Sequence, residues 1–476
     1  MSTTITLSNQ NSSLLSNLKN TLDSKDDFIY ALEQSFPSCS PEYIRVQPSP
    51  NVSTPGSSTT FNITRVSKWL DCYLSVTLTS GQANPTTLNP NLVRNYHYPS
   101  KTGIALASKI QIQTNGRALY SQTPIDLASH ISALPNEQKL RAERALLLFN
   151  DNGTIQTGGH VLNYNEEITF HIPLFAPWFQ NNISQALDTS FSENLLVTVD
   201  FASDLRCWFW NAVTAESAGG AGDAVAASTG TSWFTPQLKD VHLMCKFLVF
   251  PTDLHSYLLK NQFQNGPMVQ VCYDYEQEPV VSKTLVDNDT NEVSQNLTKR
   301  GVVDGFFIHV EDTTTAAGGP DYSKNQFECK ALDKFTMRVN GQNVLSLTGK
   351  ELECFQPEYH GTLGGSYCPD VVCRSYYLPM SVVSKQLPGI VFNGGISLKE
   401  LGNIEFVYEI HTGTAKLNKH NKQLIQIRPG YTGARTYTPV DFSSGTATYK
   451  ITVVERVVKL VSVDPGNGNI VVSATQ

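Results

Sequence analysis

Lys109–Leu127 reads KIQIQTNGRALYSQTPIDL, and Lys334–Leu352 reads KFTMRVNGQNVLSLTGKEL. Both stretches issue the same local instructions. Ile110 and Ile112, like Phe335 and Met337, alternate with polar residues as the two faces of a strand do. Asn115-Gly116 and Asn340-Gly341 then supply residues that accept the positive φ values of a two-residue hairpin turn. Return strands begin at Leu119 and at Val344. Thr123 with Asp126, and Thr348 with Glu351, spell a capping box that opens a helix. Six of the nineteen aligned positions are identical, against about one expected from background residue frequencies. Asn-Gly hairpins are common, and that accounts for two of the six.

Three further pairs keep the same order along the chain. DCYLSVTL from Asp71 matches DGFFIHVE from Asp304, NLLVTVDF from Asn194 matches NIEFVYEI from Asn403, and KDVHLMCKFLVF from Lys239 matches KITVVERVVKLV from Lys450. Any two alternating strands align tolerably, so each pair is weak alone. Their preserved order indicates duplication of one β-domain of roughly two hundred residues.

The expected organisation is a helical N-terminal arm at 1–41, a first β-domain at 42–260 and a second at 261–476. In the arm, Leu14, Leu18 and Leu22 recur at helical spacing. Ser24 and Asp27 then form a capping pattern ahead of Phe28, Ile29, Ala31 and Leu32, and Pro37 closes the segment. The junction falls in PTDLHSYLLKNQFQNGP (Pro251–Pro267), a capped helix with Leu254, Tyr257 and Leu258 on one face. TAESAGGAGDAVAASTGTS (Thr214–Ser232) is small and polar and reads as an exposed loop. LVDNDTNEVSQNLTKR (Leu285–Arg300) has the same polar character and reads the same way.

Charged residues make up 16% of the 476-residue chain, below the roughly 25% usual for soluble proteins. Much of its polar surface is therefore uncharged, which suits faces that pack against neighbours and equally suits secreted sandwiches and lectins. A net charge of −7 argues against specific nucleic-acid binding. The longest basic feature, Lys416–Arg428, is interrupted by apolar residues and reads as a solvated strand face, with contact to packaged nucleic acid or an acidic partner as the other option. MSTTITLSNQNSS carries neither a basic nor an apolar leader region, and no run of about eighteen apolar residues occurs. The nine cysteines form no CxxC pair, and Cys368 and Cys373 stand apart from any histidine cluster. Free buried thiols in a reducing compartment are the expectation, and the sequon at Asn62-Ile63-Thr64 is then a chance match.

Signatures of catalysis are missing. The chain has no GxSxG, P-loop, HExxH or GxGxxG pattern, and the glycines at Gly219–Gly222 lack the lysine of a phosphate cradle. His97, His130, His160 and His171 share no metal-ligand spacing. Glu166 and Glu167 point to opposite sides of an extended chain. Asp287, Asp289 and Glu292 lack the glycine and terminal glutamate of an EF-hand loop. No catalytic, cofactor-binding or metal-binding residue is assigned, no cofactor is expected, and the protein is read as a non-enzyme. One alternative stays open: a carbohydrate-binding or carbohydrate-active β-sandwich, whose aromatic platform would be Trp208 and Trp210.

ITFHIPLFAPWFQNNISQALDTSFSENLLVTVDF (Ile168–Phe201), its later counterpart YYLPM (Tyr376–Met380) followed by Ile404–Ile410, and the link FLVFPTDLHSYLLKN carry a family resemblance. From about residue 42 to 465 the chain resembles the double jelly-roll major capsid proteins of the adenovirus and tectivirus lineage, and within it those of virophages, polinton-like viruses and nucleocytoplasmic large DNA viruses. That resemblance implies a mainly β fold of two tandem eight-stranded jelly-roll β-sandwiches, with short helices and a helical N-terminal arm. It implies a homotrimeric, pseudo-hexameric capsomer tiling an icosahedral shell around a DNA genome, assembled in the host cell interior and resident in the virion. The partners implied are further copies of the chain, penton and minor capsid proteins, with an internal membrane as a further option. Residues 214–232 would face outward, the arm would lie at the inner base, and Trp208, Phe209 and Trp210 would line a trimer interface or pack within a barrel.

Overall fold

Among the described residues, twenty-three strands fall into two halves. In the first lie β1 (Ser40–Val46), β2 (Ser58–Asn62), β3 (Lys68–Thr79), β4 (Leu92–Tyr98), β5 (Ala107–Thr114), β6 (Arg117–Gln122), β7 (His160–Asn163), β8 (Ile168–Pro173), β9 (Leu187–Asp188), β10 (Leu195–Phe201), β11 (Trp208–Val213) and β12 (Gln237–Val249). In the second lie β13 (Met268–Gln277), β14 (Val281–Val286), β15 (Thr290–Asn296), β16 (Val302–Asp312), β17 (Lys334–Val339), β18 (Gln342–Thr348), β19 (Ser375–Pro379), β20 (Ile396–Ser397), β21 (Ile404–His411), β22 (Thr446–Val463) and β23 (Ile470–Ala474). This computed structural model describes residues 40–79, 92–98, 102–134, 136–147, 160–163, 167–179, 186–190, 192, 194–203, 208–213, 236–251, 255–256, 268–286, 290–299, 301–312, 332–349, 351–352, 375–380, 395–411, 446–463 and 470–474. The N-terminal arm, the loop at 214–232, most of the junction segment and the basic stretch at 416–428 lie outside them.

Each half builds two facing antiparallel sheets. The first has β1-β12-β3-β8, with β9 on β3, and β2-β10-β5-β6. The second has β13-β22-β16-β19, with β14 and β23 on β22 and β20 on β16, and β15-β21-β17-β18. Counting eight barrel strands in chain order, both halves read first-eighth-third-sixth and second-seventh-fourth-fifth. That is the jelly-roll order, twice. Inward residues fill each sandwich: Trp69, Leu74, Phe170, Val197 and Leu243 in the first, and Phe306, Ile308, Phe335, Phe406 and Val453 in the second. Phe406 on one sheet takes both Phe306 and Phe335 edge-on, with ring centroids 5.0 Å away in each case.

The two opening stretches occupy the same place in the two barrels. β5–β6 and β17–β18 are the fourth and fifth strands, joined by Asn115-Gly116 (φ 48° and 76°) and Asn340-Gly341 (φ 51° and 80°). Even the irregularity repeats. Ile112 faces Tyr120 while Gln113 faces Ala118, and Met337 faces Leu345 while Arg338 faces Asn343, so Leu119 and Val344 are matching bulge residues. The seventh strands agree in register too, with Leu195 opposite Thr114 and Ile404 opposite Val339.

The matches at Asp71 and Lys239 identify the right strands but slip by one residue. Leu74 pairs with Ile172 and Leu243, whereas Phe306 pairs with Leu378 and Glu455. Asp304 therefore sits at the level of Cys72, and Glu455 at that of Leu243. A one-residue slip exchanges the faces of a strand. The polar reading of Leu285–Arg300 is also corrected. Thr290–Asn296 is β15, the second barrel's second strand, with Val293, Gln295 and then Leu297 turned into the core.

Registers place the long insertions at one end of each barrel. In the first, Thr79, Ile168 and Gln237 lie together at one edge, as do Ala107, Gln122 and Phe201. The connections after the third, fifth and seventh strands all leave from there. The tight Asn-Gly hairpin closes the opposite end. The second barrel repeats this asymmetry, with Lys334, Thr348 and Glu409 grouped at its insertion end.

Candidate assembly surfaces

The first surface joins the two barrels, and the capping box builds it. Thr123 accepts from the Asp126 backbone N–H, and the Asp126 carboxylate accepts from the Thr123 backbone N–H at 2.9 Å. The helix Pro124–Ala133 that follows lies against the outward face of the second barrel's β13-β22-β16-β19 sheet. There Ile125 packs on Tyr275, Phe307, Tyr377 and Val454. Ser129 Oγ and His309 Nε2 are hydrogen-bonded at 2.8 Å, and Gln277 Nε2 donates to Thr123 Oγ1 at 2.6 Å and to Asp126 Oδ1 at 3.0 Å. His130 stacks on Phe175 at 4.0 Å and lies 4.7 Å from the Tyr275 ring. Burial lowers both histidines to about 3, with Arg456 adding to the effect at His130, so both are neutral at this contact.

Beneath the helix the second barrel carries buried charge. Arg456 Nη1 lies 3.3 Å from Asp304 Oδ2, and its guanidinium sits 4.1 Å above the Tyr273 ring. Burial raises Asp304 to about 6, opposed by Arg456. Burial also acts against the charge on Arg456, but Asp304 and the surrounding tyrosines hold it protonated. Lys459 Nζ bridges Asp274 Oδ2 and Glu276 Oε1, each at 2.6 Å. Glu455 turns inward between Val453 and Val457, with no hydrogen-bond donor on either oxygen. Burial, then the facing carboxyl of Glu278, raises it to about 9. Glu278 itself accepts from the backbone N–H groups of Thr298 and Lys299 and from the Thr298 hydroxyl. Glu455 therefore keeps its proton at neutral pH.

The second surface is the outward face of the first barrel's β1-β12-β3-β8 sheet, equivalent in topology to the face covered by the helix. Tyr43 is 65% exposed, with Lys246 5.9 Å over its ring; Arg45 is exposed beside it, and His171 is exposed on β8 at the other end of the strand order. Arg45 pairs with Asp240, and Lys239 pairs with Glu167. Ser75 links the levels of His171 and His242 across β3, and burial followed by His242 lowers His171. The matching element of the second barrel, the helical turn opened by Thr348, repeats the cap: Thr348 N–H donates to Glu351 Oε2 at 2.7 Å, and Glu351 N–H to Thr348 Oγ1 at 3.3 Å. That turn is exposed.

A third feature lies at the insertion end. β11-β4-β7 is a separate three-stranded sheet formed by the insertions after the seventh, third and fifth strands. Trp208, Phe209 and Trp210 pair with His97, Tyr96 and Asn95 there, so their strand belongs to neither barrel sheet. His160 pairs with Tyr98 in the same sheet. Residues 214–232, which follow β11 in the sequence, lie outside the described residues.

Asp287, Asp289 and Glu166 lie outside the described residues, and Glu292 pairs with Arg338 at 3.4 Å. Among the described residues no group of three metal-ligating side chains converges, and no helix is long and apolar enough to cross a membrane. The inter-barrel network was missed in the sequence because its partners, such as Ser129 with His309 or Thr123 with Gln277, are far apart in the chain and carry no local motif.

No family model and no curated protein matches the chain. Solved structures do. The PBCV-1 virus capsid quasi-atomic model is 13% identical with a TM-score of 0.58, covering 91% of this chain and 97% of that one. The Faustovirus major capsid protein is 12% identical with a TM-score of 0.54, covering 94% and 98%. The mavirus major capsid protein is 12% identical with a TM-score of 0.51, covering 91% and 90%. The chain shares the double jelly-roll fold of these proteins over nearly its whole length.

Proposed function

We propose that this protein is a viral major capsid protein that assembles as a homotrimer, and that three two-barrel subunits form a pseudo-hexameric block tiling an icosahedral shell around a DNA genome. One observation carries the reading: a helix of the first barrel covers the outward sheet face of the second, while the first barrel's edge strand at Tyr43 and Arg45 and the equivalent cap of the second, at Thr348 and Glu351, are exposed. A second copy supplies what each open surface needs. Such a contact is heterologous, and heterologous contacts are satisfied without a leftover sticky patch only when the ring closes. Two similar barrels per subunit give three subunits six similar sides.

The fold shared with capsid proteins of large DNA viruses and a virophage supports this reading. On this reading the protein resides in the virion shell, is assembled inside the host cell and meets penton and minor capsid proteins at its edges. The three-stranded sheet β11-β4-β7, with the loop at 214–232, forms the outward end of the block. Residues 1–40 reach the inner base, where Leu14, Leu18 and Leu22 meet an apolar partner. No enzymatic step is assigned. Deleting residues 1–40 tests the arm: trimers persist and shell assembly fails, and unchanged assembly refutes its role. Electron microscopy of the concentrated protein tests the whole reading: hexagonal blocks or closed particles support it, and a dispersed monomer contradicts it.

A further inference from the structure

Cys72 on β3 and Cys245 on β12 stand directly opposite each other on adjacent antiparallel strands. Both side chains turn into the first barrel's core and are fully buried, and their sulfurs lie 3.6 Å apart. Directly opposed residues in an antiparallel pair have Cα atoms about 4.5–5.5 Å apart. Disulfides span Cα distances of about 4.4–6.8 Å. The backbone is therefore already placed for a bond, and only side-chain rotation separates the thiols from it. Cys272, the other described cysteine, has a different environment, donating to the Lys459 carbonyl at 3.5 Å.

We propose that Cys72 and Cys245 are a modification site, a latent cross-strand disulfide that closes when the protein meets an oxidising milieu and staples the third and eighth strands of the first barrel. The oxidant is a small disulfide of the glutathione class. One cysteine thiolate attacks a sulfur of that disulfide, forming a mixed disulfide and releasing one small thiolate. The second cysteine's thiolate then attacks the protein sulfur of the mixed disulfide and expels the other small thiolate. Two protein thiols are oxidised to one disulfide, one small disulfide is reduced to two thiols, and the two protons pass to the released thiolates.

Burial, reinforced by Cys245, pushes the Cys72 thiol well above its ordinary range, so the closed barrel holds Cys72 unreactive. Oxidation proceeds through transient separation of β3 and β12, or before the sheet closes. Once formed, the bond is shielded from reductant by the same burial. It spans 173 positions of chain, the long-loop case in which a crosslink most restricts the unfolded state. The second barrel has Asp304 and Val457 at these levels, so the device belongs to the first barrel alone. It does not depend on the shell reading.

The full-length protein is equilibrated with oxidised glutathione or with dithiothreitol, in a urea concentration that permits local opening, and free thiols are then alkylated and peptides mapped without reduction. The expected result is a Cys72–Cys245 linked peptide only in the oxidised sample. A thermal midpoint raised by about 10 °C and reversed by reductant accompanies it. Cys272→Ala keeps both effects, and Cys72→Ser with Cys245→Ala loses both. The wild-type comparison stands even where the double variant fails to fold. Either thiol remaining alkylatable after oxidation, or a linked protein that melts no higher than the reduced one, overturns the proposal.

Discussion

The two barrels share a strand order, a hairpin, a bulge and a helix cap, yet at matching levels of one sheet they carry opposite chemistry. Where the first barrel has Cys72, Leu243 and Met244, the second has Asp304, Glu455 and Arg456. The first barrel's sheet turns apolar or thiol side chains into its core, and on its outward face Tyr43 and Arg45 of the edge strand are exposed while Ser75, Thr77 and His242 are buried. The second barrel's sheet is buried on both faces, by its own core and by the helix Pro124–Ala133. Duplication preserved what the backbone requires in detail, namely positive φ at the Asn-Gly turns and a side chain to satisfy a helix N-terminus. Core identities drifted, because packing asks only for volume and satisfied polar groups.

Making the second barrel more like the first tests how far that divergence has become obligatory. Arg456→Met installs the residue of the equivalent first-barrel level, Met244, and leaves Asp304 buried without its cation. The expected loss is about 3–5 kcal/mol in urea unfolding, with much of it recovered by adding Asp304→Asn. A loss below 1 kcal/mol would show that the ion pair is dispensable.

Glu455 makes the second barrel sensitive to pH. Its folded carboxyl titrates at about 9 against an ordinary 4.5, so the folded state keeps a proton that the unfolded chain releases. The contribution is whole below pH 4.5, is lost progressively as pH rises from 4.5 to 9, and is constant above that. Glu455→Gln removes the titration and gains about 2–4 kcal/mol over wild type at pH 8. Parallel pH profiles of the two proteins would contradict it.

Capping and turn residues give smaller, matched effects. Thr123→Ala costs about 1–2 kcal/mol, because its hydroxyl also accepts from Gln277 of the other barrel. Gly116→Ala and Gly341→Ala each cost about 1 kcal/mol through their positive φ, equally in the two barrels. Thr348→Ala costs about 0.5 kcal/mol in a dissociated subunit, where its cap is exposed. The same change costs about as much as Thr123→Ala once the cap is covered in an oligomer.

What could be read from the sequence follows the same division. The hairpins, caps and seventh strands were legible to the residue, since Asn-Gly and Thr-x-x-Asp/Glu fix positions. The third and eighth strands were legible as elements but not in register. Asp304 through Val310 are all buried, so the alternation that would distinguish the faces is gone. Thr290–Asn296 hid as a loop because its inward residues are Val293 and Gln295, one of them polar and satisfied by Tyr408 and Pro279. The inter-barrel surface left no sequence signal, being made by residues that only the folded chain brings together.

Size-exclusion chromatography with light scattering on the full-length protein, before any shell forms, tests the central claim most directly. A single species at three times the 52.5 kDa chain mass is the predicted result. A clean monomer at micromolar concentration that forms no particles on concentration would contradict it.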